Sequence, residues 1–360
     1  MQHDPLTPTK GERSTSPEGR RLDRVTAPLD VEKSALQADP DAAVSGLSAK
    51  AVEGRSLRQI AWMRLKRDKV ALGGGIVILL LILIAVFAPL IVKLLGHPPN
   101  DFHQELLDPT LLTPKGSFGG ISSQFLLGVE PVNGRDVFSR IVYGARISLL
   151  TAFLATLLSV SIGTVVGITA GFFGGWIDGL ISRLMDILLA FPLLVFAISI
   201  GTVIQTANGS VFGLSGTSLS VATLIFIIGF FNWPYIGRIV RGQTLSLREK
   251  EFIDAARSLG ATNRHIIFKQ LLPNLAAPVL VYSTLIIPTN ILFEAALSFL
   301  GVGVRRPTAS WGSMLSDAVE TYQIDPVFMI VPGVALLITV MAFNLLGDGL
   351  RDALDPRAGR

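Results

Sequence analysis

Apolar residues in this chain come in long runs that charge barely interrupts, and the runs have the length of membrane-crossing helices. A spanning helix needs about 20 mostly apolar residues. Residues 70–92 and 147–173 contain no Asp, Glu, Lys or Arg, and neither does the whole stretch 187–237. That stretch is too long for one helix. It breaks at Ala207-Asn208-Gly209-Ser210 and between Gly213 and Ser218, which predicts two spans near 187–204 and 219–237. A fifth span is predicted near 276–300 and a sixth near 326–347, the last bounded by Asp325 and Asp348. The pattern predicts an all-α integral membrane protein with about six transmembrane helices.

The remaining segments are polar and differ from one another. Residues 1–54 are mixed in charge, hold five prolines and lack a sustained apolar period, so they are expected to form a disordered tail that buries too little apolar surface to offset ordering entropy. The first long apolar run begins only near Val70, unlike a signal peptide. Arg55, Arg58, Arg64, Lys66, Arg67 and Lys69 alternate with Leu57, Ile60, Trp62, Met63 and Leu65, the pattern of a basic amphipathic lead-in lying on a leaflet. Segment 55–93 therefore reads as lead-in plus first span. It is followed by an extracytoplasmic segment, 94–146, and a transmembrane domain, 147–357.

Orientation follows from Lys and Arg beside the spans. With the N-terminus inside, the inner segments carry 17 basic residues and the outer ones 7, so both termini are expected in the cytoplasm. Arg135, Arg140 and Arg146 run against this bias.

Composition agrees with lipid burial. Half of the 360 residues are hydrophobic and 16% charged, against about a quarter in a soluble domain, and the mean hydropathy is +0.55. The net charge of +4 clusters beside the apolar runs, which is a topology signal and not a nucleic-acid surface. There is no cysteine, and the four histidines are not paired at metal-motif spacing. The spans hold almost no ionisable groups, which argues against an ion-coupled secondary transporter or a charge-ringed channel. No His, Asp or Glu cluster suggests a membrane enzyme.

One inner segment, 238–274, is more than a connection. Ser246 and Glu249 have capping-box spacing, which predicts a helix start there. Phe252, Ala256 and Leu259 then form one apolar stripe, Gly260 is placed to end the helix in a left-handed conformation, and a second amphipathic run, 262–272, is stopped by Pro273. The small residues Ala255 and Ala256 permit close approach by a partner.

Asp254-Ala255-Ala256, three residues, Gly260, nine residues, then Gln270-Leu271-Leu272-Pro273 resembles the EAA loop of ABC importer permeases, with Asp for Glu and Gln for Ile. The resemblance extends over about 62–357. It is carried by Gly134-Arg135-Asp136-Val137-Phe138-Ser139-Arg140, Met185-Asp186-Ile187 through Phe191-Pro192, Trp233-Pro234-Tyr235, Glu294-Ala295-Ala296-Leu297-Ser298-Phe299-Leu300-Gly301, Ser310-Trp311-Gly312 and Asn344-Leu345-Leu346-Gly347-Asp348-Gly349. In order and spacing these runs resemble the second, C-type permease of the peptide/nickel importer group. Val129-Glu130, where the family often has Thr-Asp, and a longer 205–218 are departures.

The resemblance implies a non-catalytic translocation subunit that moves di- or oligopeptides by alternating access. Nickel chelates or glutathione-like peptides are alternative cargoes. It also implies a homologous second permease, two ATP-binding subunits carrying the ATP and magnesium, an extracytoplasmic peptide-binding protein and surrounding lipid. The chain itself has no Gly-x4-Gly-Lys-Ser/Thr loop to cradle phosphates, and no cofactor is expected on it. By the same resemblance Glu251, Asp254, Ala255, Ala256, Gly260, Leu272 and Pro273 would couple to an ATPase. Glu294, alone among acidic residues deep in a span, is a candidate for translocation or for structure.

Overall fold

The computed structural model describes residues 57–206 and 213–354. The expected tail 1–54 and residues 207–212 of the break between the third and fourth spans lie outside the described residues. Within them the elements are helical: α1 Leu57–Arg67, α2 Lys69–Val86, α3 Ala88–Leu95, α4 Val137–Phe173, α5 Gly175–Ala190, α6 Leu193–Thr206, α7 Gly216–Arg248, α8 Glu251–Ser258, α9 Asn263–Phe299, α10 Trp311–Val319 and α11 Pro326–Leu354. Five of them are long and apolar enough to cross a membrane, or six if the bent pair α5–α6 is one span.

Several expected boundaries move, each for an identifiable reason. The first span divides at Phe87, because Pro89 in the first turn of α3 has no N–H to continue the ladder. The second begins ten residues before Ile147: Asp136 caps α4 by accepting from the Phe138 N–H, and the helix carries Arg140 and Arg146 with it. The expected span 187–204 is a bent pair. α5 and α6 meet at Phe191–Pro192 with a 77° turn, proline pushing the preceding residue out of the helical region. α7 runs through Pro234 and continues eleven residues past Gly237.

α4 is the centre of the bundle, and α7 lies along it at very short range. Gly163, Gly167 and Gly171 are spaced four apart on α4 and face the α7 backbone. A Cβ would stand 2.8 Å from the Trp233 carbonyl oxygen at Gly163, 2.6 Å from that of Gly237 at Gly167 and 2.9 Å from that of Arg241 at Gly171. Small residues at this spacing let membrane helices touch backbone to backbone, where dispersion supplies the attraction that lipid removes from hydrophobicity. Gly229 returns the contact from α7, against the Ala155 carbonyl and Leu158. α2 packs on α11 in the same way, Gly74 meeting the Ala342 carbonyl.

Buried polar groups tie α4, α7 and α9 together. The Asn232 amide donates to Asn290 Oδ1 at 2.8 Å, and the Asn290 amide donates to Thr156 Oγ1 at 2.8 Å. Thr156 Oγ1 in turn donates to the Ala152 carbonyl.

At the end where α4 begins, residues 97–136 fold as a cap with α10. Arg135 makes a two-pronged bond to Glu130, at 2.6 and 2.7 Å, and Arg140 stands 3.3 Å from the same carboxylate. Asp317 of α10 lies 3.8 Å from both guanidinium groups and also pairs with Arg306. Arg135, Arg140 and Glu130 are all buried. These arginines are neutralised inside the cap.

A Gly167→Leu substitution is expected to force α4 and α7 apart, at an overpacking cost of about 1–3 kcal/mol or more. Gly242→Leu on α7, where a Cβ meets nothing within 4 Å, is the control. Thermal unfolding of the detergent-purified chain checks this: only the Gly167 variant falls in melting temperature.

Candidate coupling site

α7 ends at Arg248, and one extended residue, Lys250, starts α8. The Ser246–Glu249 capping box does not form. Both residues belong to the end of α7, with Glu249 at its C-cap, and α8 starts without a side-chain cap. The helical run of α7 outlasts the sequence signal, since its far turns are held by α4.

α8 is docked by one large side chain. Ile253 is fully buried in a cluster with Ile168 and Phe172 of α4, Ile236 and Val240 of α7, and Ile266, Leu271 and Leu275 of α9. Ala256 packs at its edge. The apolar stripe expected on Phe252, Ala256 and Leu259 is therefore divided between two faces. Ala256 turns inward with Ile253, whereas Phe252 is 39% exposed and Leu259 88% exposed, with Ala255 exposed between them. Residues 252, 255 and 259 follow the i, i+3, i+7 spacing of one helical face. Beside this face is a hollow of about 480 Å³ lined by Leu259, Gly260, Thr262, His265 and Gln270.

Gly260 ends α8 with φ +79°. Its N–H reaches the Arg257 carbonyl at 2.9 Å and the Ala261 N–H reaches that of Ala256 at 3.0 Å, the two bonds of a Schellman cap. The surroundings of Gly260 are open, so its need for glycine is conformational and not steric.

The carboxylates lie on the exposed side. Glu251 is exposed, and Asp254 accepts from Arg257 one turn on, at 3.3 Å, and not from Lys250. With both side chains in water this pair contributes little, which leaves Asp254 available to a partner. Thr262 caps the next helix through the His265 N–H.

Pro273 does not stop the second run. A π-turn over Ile266–Leu271 widens the helix just ahead of the proline ring, and α9 continues to Phe299. The wider turn accommodates a ring that clashes with the carbonyl four residues back. The Asn274 side chain donates to the Gln270 carbonyl at 2.6 Å. Leu272 and Pro273 are exposed, and Leu271 supplies the buried contact.

Glu294 is far from this loop. It is fully buried on α9 and accepts from Ser298 at 2.8 Å through Oε1. Among the described residues Oε2 has no hydrogen-bond partner, and the hydroxyls of Ser148 and Ser310 face the carboxylate. Trp311, at the start of α10, packs nearby, its N–H directed to Ser148 of α4 at 3.3 Å and its indole N–H to the Ile141 carbonyl. Gly312 approaches the Ala295 backbone closely. The carboxylate sits in the seam of α4, α9 and α10.

The long apolar helices, and a short helix held at one end of the bundle between two of them, define a multi-pass membrane permease of the ABC importer class. The chain belongs to the family of binding-protein-dependent transport system inner membrane components, whose model matches residues 163–360. The N-terminal transmembrane domain of oligopeptide transport permease C matches residues 56–114. The dipeptide transport system permease protein DppC of Alkalihalophilus pseudofirmus is 42% identical over 82% of this chain and 89% of its own length. The glutathione transport system permease protein GsiD of Escherichia coli is 38% identical over the same shares. Among solved structures, the inward-facing MetNI methionine ABC transporter aligns with 61% of this chain and 97% of that chain, at 21% identity and a TM-score of 0.47.

Replacing Ile253 with Ala removes the anchor of α8 and is expected to cost about 2–5 kcal/mol of local docking energy. Hydrogen exchange on the purified chain should rise across 250–261 in this variant, and stay unchanged in Phe252→Ala.

Proposed function

We propose that the chain is one of two permease subunits of an ATP-driven importer of di- and oligopeptides, with α8 as the part that an ATPase subunit grips. The observation that carries this reading is the divided face of α8: Ile253 is committed to the bundle, while Phe252, Ala255 and Leu259 are apolar and exposed at its end. An apolar face on a polar, extramembrane turn is costly in water and fits a groove on a partner. Asp254 and Glu251, beside it, supply charge-assisted hydrogen bonds to that partner. ATP and magnesium would be held by the ATPase subunits.

The α8 end is then cytoplasmic, with both termini on that side, and the cap of residues 97–136 faces out, where a peptide-binding protein delivers cargo. Burial of the Arg135 and Arg140 charges by Glu130 and Asp317 supports this orientation, because paired arginines do not hold a segment inside. Glu294 acts in the structural seam. A hollow of about 500 Å³ lies between α4 and α9, with Phe153, Leu157 and Val160 on one side and Val279, Leu280 and Ile287 on the other. Its walls are nearly all apolar, which suits contact with the second permease or the path between the two. Glutathione-like peptides are a second reading of the cargo, favoured by the 38% identity to a glutathione permease.

The test is a pull-down of the tagged chain from solubilised native membranes, with co-purifying subunits identified by mass spectrometry. A second permease, ATPase subunits and a solute-binding protein are expected with the unmodified chain. Phe252→Asp with Leu259→Asp should lose the ATPases while keeping the second permease, and Asp254→Lys should weaken their recovery. Full recovery of ATPases with the double variant contradicts the role given to α8.

A further inference from the structure

α5 differs from the other helices in how it is attached. At its start Gly174 and Gly175 both have positive φ, +66° and +56°, a pair of joints between α4 and α5. At its end is the 77° turn at Phe191–Pro192. Between these two joints only Met185 is buried, against Gly237 of α7. Leu188, partly buried, packs on the cluster of Ala197, Leu224, Ile228 and Phe231, and ionic contacts to α7 add to the hold. Arg241 grips Asp178 with two parallel bonds, Nη2 to Oδ2 at 2.7 Å and Nε to Oδ1. Ser182 adds a bond to Asp178, and Arg238 reaches Asp186 at 2.6 Å. Asp178 and Asp186 are two turns apart on α5, whereas Arg241 and Arg238 are one turn apart on α7, so the two arginine side chains fan out along α5. A third arginine of α7, Arg248, donates to the carbonyls of Gly171 and Phe172 at 3.2 and 3.3 Å, satisfying the last turn of α4 just before the glycine joint.

The three arginines lie on the segment of α7 that leads directly into α8. We propose that Asp178 and Arg241 are positioning residues that make α5 move as one body with α7, so that a displacement of α8 carries α5 with it and is passed at the Pro192 turn to α6. This rests on the proposed role of α8. A two-pronged Arg–carboxylate pair resists both sliding and rotation, which the apolar contacts of Met185 and Leu188 do not. The weaker pair Arg238–Asp186, with both side chains about half exposed, steadies the contact.

The chain contains no cysteine, so introduced ones report cleanly. Leu180 of α5, Tyr235 of α7 and Leu292 of α9 are exposed and suit spin labels. The complex that co-purifies from membranes is reconstituted in vesicles, and label distances are measured without nucleotide and after trapping with ATP, magnesium and vanadate. In the otherwise unmodified chain the 180–292 distance is expected to change on trapping while the 180–235 distance holds. Asp178→Asn and Arg241→Gln should each abolish at least half of the 180–292 change with ATP hydrolysis kept within about twofold. The exchange Asp178→Arg with Arg241→Asp, which re-forms the pair, should restore it. An unchanged 180–292 response in the single variants, or no rescue by the exchange, overturns the proposal. If ATPases co-purify and hydrolyse ATP but the 180–292 distance never moves, the α5 lever fails and the coupling role of α8 stands. If no ATPase co-purifies, the role of α8 fails and the lever falls with it.

Discussion

Backbone contact between α4 and α7 is the constraint on which the rest of the structure depends. Three glycines four residues apart bring the two helices so close that carbonyl oxygens occupy the space where side chains would be. At that range the helices cannot slide or rotate independently without a clash, since interiors are close-packed and do not deform smoothly. The position of α7 therefore sets that of everything attached to it. α8 follows its last turn, α5 is clamped to its arginines, and Ile253 finds its pocket because α4, α7 and α9 meet there. In lipid, where apolar surfaces gain nothing from meeting each other as such, this close fit and the Asn232–Asn290–Thr156 chain of hydrogen bonds carry the association.

The two ends of the bundle use charge differently. At the cap, Glu130, Arg135, Arg140 and Asp317 are drawn inside and compensate one another, so that residues 97–136 and α10 hold together as a lid on the start of α4. Removing one member would leave a buried charge unpaired, the costly case for such networks. At the α8 end, the clamp between α5 and α7 is partly exposed. The first arrangement makes a rigid body. The second makes a linkage, since it ties α5 to the element that a partner would move.

Much of this was legible in the sequence, and the failures share a cause. The charge-free runs located the apolar helices, because nothing else in a protein of this size needs so many uninterrupted apolar residues. Gly260 showed its left-handed cap, and the Asp254-Ala255-Ala256 motif located α8. Helix ends were misjudged wherever a charged residue was taken as a boundary: Arg140 is inside α4 because Glu130 and Asp317 neutralise it, and Arg238 and Arg241 are inside α7 because Asp186 and Asp178 do. Tertiary contact overrode local signals at Ser246–Glu249 and at Pro273, which a π-turn absorbs. The buried face of α8 turned out to be Ile253, adjacent to the stripe inferred from spacing, since an eight-residue helix is too short for periodicity to choose between neighbouring faces. The glycine ladder was written plainly at 163, 167 and 171, but inside an apolar run it signals a contact only once the facing helix is known.

The most direct test of the account is a structure of the purified assembly, determined by electron cryomicroscopy without nucleotide and with ATP trapped. The account predicts that Phe252, Ala255 and Leu259 are buried in a groove of an ATP-binding subunit in both states, with Ile253 still seated against Ile266 and Leu271, and that α8 shifts with that subunit between them. An assembly in which this face of α8 remains open to water, with the ATP-binding subunit seated elsewhere on the chain, would contradict it.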